Sequence, residues 1–131
     1  MIILGIDYGE KKTGLAIADH GIVEPLLVLK TEELLNWISS QVKEANFEKI
    51  VIGLPGGDLD KKIKVLGADL EKTIGLPVEF YDETLTTLDA QKILSKIKRS
   101  KIYRKTKEDA VAAAVILESY CWANKNGGFK S

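Results

Sequence analysis

The 131-residue sequence has very little of what metal and redox sites most often use. It contains one cysteine, Cys121, and one histidine, His20, which excludes an internal disulfide and a zinc cluster of cysteines and histidines. Ser-His-Asp and Cys-His catalysis are disfavoured as well, because His20 lies in a predicted turn and Cys121 in a late helix. We expect His20 to be a solvated turn residue and Cys121 to be packed.

The chain also lacks net charge and long apolar runs. Its 19 basic and 19 acidic residues cancel, so any nucleic-acid binding must come from a local basic patch. No apolar stretch approaches the roughly 20 residues of a membrane span, and the start lacks the basic flank of a signal peptide. Together with the rarity of cysteine, these features predict a cytoplasmic protein.

What the sequence does contain is the composition of an ordinary globular domain. Hydrophobic residues make up 45% of the chain and charged residues 29%, which excludes disordered and low-complexity classes. The length suits one domain, and we predict a single domain over residues 1–131.

Apolar runs, turn residues and helical spacing predict an α/β fold with the element order βββαβαβαα. Strands are expected at residues 2–7, 15–18, 22–29, 49–54 and 77–81. Helices are expected after caps at Thr31, at Asp58 and at Thr86 or Thr87, and in an Ala-rich segment that runs to about Ala123. A three-strand meander followed by alternating strands and helices predicts a mixed five-stranded sheet with helices on both faces.

Acidic residues stand at the ends of these elements. Asp7 ends the first strand, on a face otherwise built for burial. Asp82 and Glu83 end the fifth strand on opposite faces, so only one of them can point into a given site, and spacing leaves open which. Asp109 begins the apolar stripe of the last helix, whose alanines allow a close approach to the strands. Each also has an ordinary explanation, as a turn, cap or solvent-exposed residue.

Carboxylates without a cysteine cluster favour oxygen-preferring ions such as Mg²⁺ or Mn²⁺. Two such ions, about 3.5 to 4 Å apart, activate water and stabilise the leaving oxygen of a phosphodiester. The residues therefore predict a metal-dependent nuclease. By position, Asp58 and Asp60 are a helix cap and a surface residue, although either could supplement the metal site.

Four segments then match the motifs of one family, in order. They are residues 4–9 with 14–16, residues 51–55, residues 82–87, and Asp109 with residues 112–113 and 116–118. On these residues the chain resembles the YqgF/RuvX family of Holliday-junction resolvases and pre-16S rRNA nucleases, in the RNase H-like superfamily. The resemblance implies an RNase H-like fold, with Asp7, Glu83 and Asp109 as catalytic residues that bind two Mg²⁺ or Mn²⁺ ions.

The resemblance further implies an endonuclease that cuts structured nucleic acid, with maturation of the 5′ end of pre-16S rRNA favoured over recombination and ribosomal particles as partners. Two departures concern substrate contacts. Thr84 stands where the family usually has arginine, which removes a bidentate phosphate or carboxylate clamp. The loop after Pro55 has its own sequence here, Gly56-Gly57-Asp58-Leu59-Asp60.

Basic residues near the acids are the predicted nucleic-acid contacts. Lys11 and Lys12 lie in the first turn, and Arg104 and Lys105 lie just before the last helix with Tyr103 beside them. Further basic residues of that segment are Lys96, Lys98, Arg99, Lys101 and Lys107. A solvated loop is the alternative interpretation, and closeness to Asp109 favours phosphate binding.

Other functions stay open at this point. One is a resolvase that acts on branched DNA, and another is a non-catalytic RNA-binding factor of ribosome assembly, whose RNA binding would survive loss of the three acids. The sugar-kinase, Hsp70 and actin group shares the Asp-x-Gly turn, but those proteins close two domains over ATP and this length supplies one. The oligomeric state is left open.

Overall fold

The computed structural model describes residues 1–83 and 108–125. Its elements are β1 Ile2–Asp7, β2 Lys12–Asp19, β3 Ile22–Lys30, a 3₁₀ turn Thr31–Glu33, α1 Leu34–Ala45, β4 Lys49–Leu54, α2 Leu59–Ile74, β5 Val78–Asp82 and α3 Glu108–Lys125. The helix predicted after Thr86 or Thr87 and the basic segment before the last helix lie outside the described residues. Within the described ranges, the helices are too short or too polar to cross a bilayer.

The five strands form one mixed sheet in the order β3-β2-β1-β4-β5. β1 pairs antiparallel with β2, and β2 pairs antiparallel with β3. β4 pairs parallel with both β1 and β5. The predicted meander followed by parallel strands is confirmed, with β1 at the centre. Because β1, β4 and β5 run in the same direction, they all end at one edge of the sheet, which we call the carboxyl edge.

Strand alternation divides the core between the two faces of the sheet, and helices cover both faces as predicted. The side chains between the sheet and α3 include Ile3, Val51, Tyr81, Ile116 and Leu117. Those on the side of α1 and α2 include Leu4, Ile6, Ile38, Ile52 and Ile63. The apolar run of β1 is explained by this arrangement, since both of its faces are covered.

Helix α3 runs antiparallel to β1 and β4. It approaches β1 so closely that a Cβ atom on Gly5 would lie 3.0 Å from Cδ2 of Leu117 and 3.4 Å from the carbonyl oxygen of Ala113. Near its other end, the Tyr120 hydroxyl accepts a hydrogen bond from Lys49 Nζ, at the start of β4, at 3.0 Å. The first turn of α3 is therefore directed toward the carboxyl edge.

Three strands differ from their predicted limits, and the smallest change is in β3, which ends at Lys30 rather than at residue 29. β2 begins at Lys12 rather than Leu15, because Gly14 pairs with Asp7 and the residues before it pair with the end of β3. β5 is Val78–Asp82 rather than 77–81, since its pairing with β4 continues to Asp82. The turn predicted after β1 is consequently shorter than expected, and it leads directly into β2.

The helix cap predicted at Thr31 is wrong, whereas Asp58 stands at the predicted cap position of α2 without forming the cap hydrogen bond. Thr31 opens the 3₁₀ turn, and its hydroxyl donates to the carbonyl oxygen of Gly9 at 2.6 Å instead of capping a helix. Asp58 occupies the position before α2, but its side chain makes no cap hydrogen bond. Asp60 Oδ1 accepts the Gly56 N–H at 3.0 Å. At Thr31, a partner distant in the chain therefore replaces the local one that the sequence suggests.

Candidate active site

Asp7 and Glu83 meet on one face of the sheet at the carboxyl edge. Asp7 is the last residue of β1 and is half-buried. Strand alternation puts it on the face of Gly5, which packs against α3. Glu83 follows β5, and its Oε2 atom would lie only 2.9 Å from a Cβ atom on Gly53 of β4. The Glu83 carboxylate therefore lies over Gly53, on the face that Asp7 shares.

Gly53 provides the space in which the Glu83 carboxylate lies. The parallel register pairs Ile6 with Ile52, so the next residues along the two strands are Asp7 and Gly53. A Cβ atom at Gly53 would also lie 2.6 Å from Cδ1 of Ile116 on α3. The missing side chain thus lets one carboxylate extend across β4 toward another.

The electrostatic environment of Glu83 suits a cation. Burial raises the pKa of the Glu83 carboxyl above its ordinary value, and the negative charges of Asp60 and then Asp82 raise it further. Asp82 itself is exposed, on the opposite face of β5. Of the two acids that end this strand, Glu83 is the one that shares a face with Asp7. Asp60, in the first turn of α2, is close enough to influence Glu83 although it lies on another element.

The third predicted acid, Asp109, belongs to the first turn of α3. It stands one helical turn before Ala113, in the direction of the carboxyl edge. Its side chain lies outside the described part of the structure. Among the described side chains, no three Asp, Glu, His or Cys residues form a group that could hold a metal ion.

Comparison with known proteins identifies the family. The model of the RuvX family, described as Holliday junction resolvase, matches residues 1–122. The chain belongs to the RuvX family. A relative from Caldanaerobacter subterraneus, named "Putative pre-16S rRNA nuclease", is 35% identical over 138 residues and covers 96% of this chain and 99% of its own. A relative of the same name from Syntrophus aciditrophicus is 38% identical, with 92% and 87% covered.

Solved resolvase structures share the architecture of this RuvX-family chain. The RuvC protein of T. thermophilus in complex with a Holliday junction substrate superposes with a TM-score of 0.66 at 20% identity, over 97% of this chain and 96% of that one. The fowlpox virus resolvase, also solved with junction DNA, gives a TM-score of 0.64 at 16% identity, over 95% and 99%. These similarities establish the RNase H-like fold that the resemblance implied.

The predicted nucleic-acid contacts divide into two groups. Lys11 lies in the turn after β1, and Lys12 begins β2; both are exposed and lie a few residues from Asp7. Arg104 and Lys105 lie outside the described residues, as does Thr84. The structure thus brings two of the four predicted basic residues to the carboxyl edge.

The residues that could have served Ser-His-Asp or Cys-His catalysis, His20 and Cys121, lie where the sequence predicts. His20 is 83% exposed, lies in the β2–β3 turn at φ +53°, and pairs through Nδ1 with the Asp19 carboxylate at 2.5 Å. Cys121 is half-buried against the core beneath α3, where burial raises the pKa of its thiol. A thiol with a raised pKa is a poor nucleophile.

The role of Gly53 is not evident from local sequence patterns. It is the one glycine in β4, where it follows three apolar residues, and an isolated glycine inside a strand often marks a close approach by another group. That signal indicates crowding at Gly53 without saying which group approaches. Only the pairing of β4 with β5 brings Glu83 to this glycine.

Proposed function

We propose that this RuvX-family protein is a divalent-metal-dependent endonuclease that hydrolyses phosphodiester bonds in structured nucleic acid, with pre-16S rRNA as its substrate. The observation that carries the proposal is the Glu83 carboxylate lying over Gly53, on the face of the sheet that Asp7 shares. Asp7 and Glu83 stand at the carboxyl ends of β1 and β5, on either side of β4, and this edge of a sheet is where ligands bind in open α/β folds.

The donor set fits Mg²⁺ or Mn²⁺. Both described donors are carboxylates, the ligands that these ions prefer, and burial with the charges of Asp60 and Asp82 raises the pKa of Glu83, so a cation there would be favoured. Asp7, Glu83 and Asp109 would hold two ions. When bound, divalent ions supply an activated water and stabilisation of the leaving oxygen in phosphodiester hydrolysis.

The chain itself would orient the substrate around these acids. Lys11 and Lys12 are exposed beside Asp7, where they would contact the phosphates of the nucleic-acid backbone. Arg104 and Lys105 would extend the basic surface from the segment before α3. The Glu83 carboxylate lies against Gly53 of β4, so it is on the face that Asp7 shares before any substrate binds.

The choice of substrate rests on the relatives. The two described above, at 35% and 38% identity over nearly the whole chain, are both named for pre-16S rRNA. The resolvases solved with junction DNA are only 20% and 16% identical, so they inform the fold rather than the substrate. A ribosomal particle that carries the precursor is the corresponding partner.

The test is cleavage of three labelled substrates in Mg²⁺ or Mn²⁺: a pre-16S rRNA leader fragment, an unstructured single-stranded RNA and a four-way DNA junction. Wild type is compared with Asp7→Asn and with the matched variant Asp19→Asn. Asp19 is an exposed aspartate at the opposite end of the sheet, where β2 ends beside the start of β1.

We expect metal-dependent cleavage of the leader fragment, lost in Asp7→Asn and kept in Asp19→Asn. Preferential cleavage of the junction would identify branched DNA as the substrate and leave the proposed active site unchanged. Equal cleavage by Asp7→Asn would refute the site. RNA binding without cleavage, shared by all three proteins, would instead identify a non-catalytic assembly factor.

A further inference from the structure

The turn between β1 and β2, residues 8–11, is held by two hydrogen bonds to Thr31. The Thr31 hydroxyl donates to the carbonyl oxygen of Gly9 at 2.6 Å. The Thr31 backbone N–H donates to the carbonyl oxygen of Lys11 at 2.9 Å. Thr31 therefore holds the turn at two points, although it lies after β3 and far away in the sequence.

A second threonine fixes the Thr31 hydroxyl. Thr13, on β2, is fully buried, and its hydroxyl oxygen lies 2.8 Å from that of Thr31. The Thr31 hydroxyl has one hydrogen, which is used on Gly9, so Thr13 is the donor of this bond. The result is a chain of two hydrogen bonds that leads from the sheet through Thr31 to the turn.

These hydrogen bonds matter because the backbone of the turn is tightly folded and its ion pair with α2 is exposed. A Cβ atom on Gly9 would lie 2.4 Å from the carbonyl oxygen of Lys12, so the backbone folds closely on itself here. On the outside, Glu10 pairs with Lys62 of α2 at 2.7 Å, with both side chains more than half exposed. An ion pair so exposed contributes little to holding the turn.

We propose that Thr31 is a positioning residue for nucleic-acid binding: it holds the β1–β2 turn so that Lys11 meets the phosphate backbone beside Asp7. This inference rests on the proposed function, and it adds to it a residue that touches neither the substrate nor the acids. Thr31 acts through the peptide groups of Gly9 and Lys11, which connect the last residue of β1 to the first lysine of the basic surface.

Thr31→Val removes the hydroxyl and keeps the shape and the backbone N–H, whereas Thr31→Ser keeps the hydroxyl. The valine leaves the Gly9 carbonyl and the Thr13 hydroxyl without this partner, a loss that typically corresponds to about a tenfold change in an equilibrium constant. We expect Thr31→Val to raise the Kd for a fluorescein-labelled pre-rRNA leader fragment by about tenfold, and Thr31→Ser to restore it to within about twofold.

A double-mutant cycle with Lys11→Ala distinguishes positioning from a purely structural role. If Thr31 acts through the turn, Thr31→Val has little further effect on Kd once the Lys11 side chain is gone, so the two effects are not additive. Melting temperatures of all variants are measured alongside. Should Thr31→Val fail to fold, Thr13→Val carries the same cycle, with a smaller expected increase in Kd because the bond from Thr31 to Gly9 remains.

The outcomes separate the two proposals. Wild type that binds and cleaves while Thr31→Val changes only the melting temperature overturns the inference alone. Fully additive effects with Lys11→Ala overturn it as well, because the route through the turn is then absent. Wild type that neither binds nor cleaves nucleic acid overturns the proposed function, and the inference with it.

Discussion

Replacing Gly53 by alanine should abolish most of the activity while leaving the fold intact. The new Cβ atom would lie 2.6 Å from Cδ1 of Ile116 and 2.9 Å from Oε2 of Glu83. Carbon atoms in contact normally lie about 3.5–4.0 Å apart, so Ile116 or the new methyl group must move by about 1 Å. The Glu83 carboxylate is the more mobile neighbour, and we expect it to be displaced.

The magnitude follows from these distances. Adding a methyl group to a packed interior typically costs about 1–3 kcal/mol of folding free energy. A misplacement of about 1 Å at a catalytic group typically lowers the rate by about 100-fold. We therefore expect Gly53→Ala to lower kcat by about two orders of magnitude, with folding retained.

Gly67→Ala is the matched control. Its Cβ atom would lie 2.4 Å from Cζ of Phe80, so it introduces a comparable collision. That collision is between α2 and β5, on the side of the sheet away from α3, and Phe80 is partly exposed and can turn away. Cleavage kinetics and thermal melts of both variants complete the test. Normal cleavage by a folded Gly53→Ala protein would refute the assignment of Gly53 as the space that Glu83 requires.

Two further predictions concern Glu83 and the far end of α3. In EDTA, Glu83→Gln should melt at a higher temperature than wild type at about pH 7.5 and at the same temperature at about pH 4. Folding raises the pKa of Glu83, so the folded state favours the protonated carboxyl, and this stabilisation is lost as the pH rises through that pKa. A difference in melting temperature that does not depend on pH would contradict the assigned burial of Glu83. Tyr120→Phe should lower the free energy of unfolding by about 1–2 kcal/mol, because the Tyr120 hydroxyl links Lys49 to Glu79. Cleavage should be unchanged, since these residues lie at the opposite end of the sheet from the acids. Impaired cleavage in a stably folded variant would contradict the separation of this contact from the active site.

Local patterns predict the parts of this protein that depend on local physics. The limits of β1 and β4 follow from apolar runs that are buried on both faces, and both are confirmed. The end of α2 at Gly75 follows from the left-handed conformation that the chain adopts there, at φ +82°. The opposite faces of Asp82 and Glu83 follow from strand alternation alone.

Two features that sequence patterns miss, the hydrogen bond of Thr31 and the role of Gly53, depend on partners distant in the chain. Thr31 is of a residue type and at a position typical of a helix cap, but its hydroxyl donates to the carbonyl oxygen of Gly9. The pairing of β2 with β3 is what brings Gly9 near Thr31. Gly53 looks like an isolated glycine that weakens a strand, and only the pairing of β4 with β5 places Glu83 beside it. Tertiary contacts of this kind override local preferences, and no local window contains them.

Asp7 and Glu83 are proposed to hold a divalent ion together across Gly53. The most direct measurement is a calorimetric titration of the full chain with Mn²⁺, for wild type, Asp7→Asn, Glu83→Gln and the control Asp19→Asn. We expect wild type and Asp19→Asn to bind with the same affinity, and each of the other two variants to lose most of that affinity. Unchanged binding by Asp7→Asn and Glu83→Gln would contradict the account.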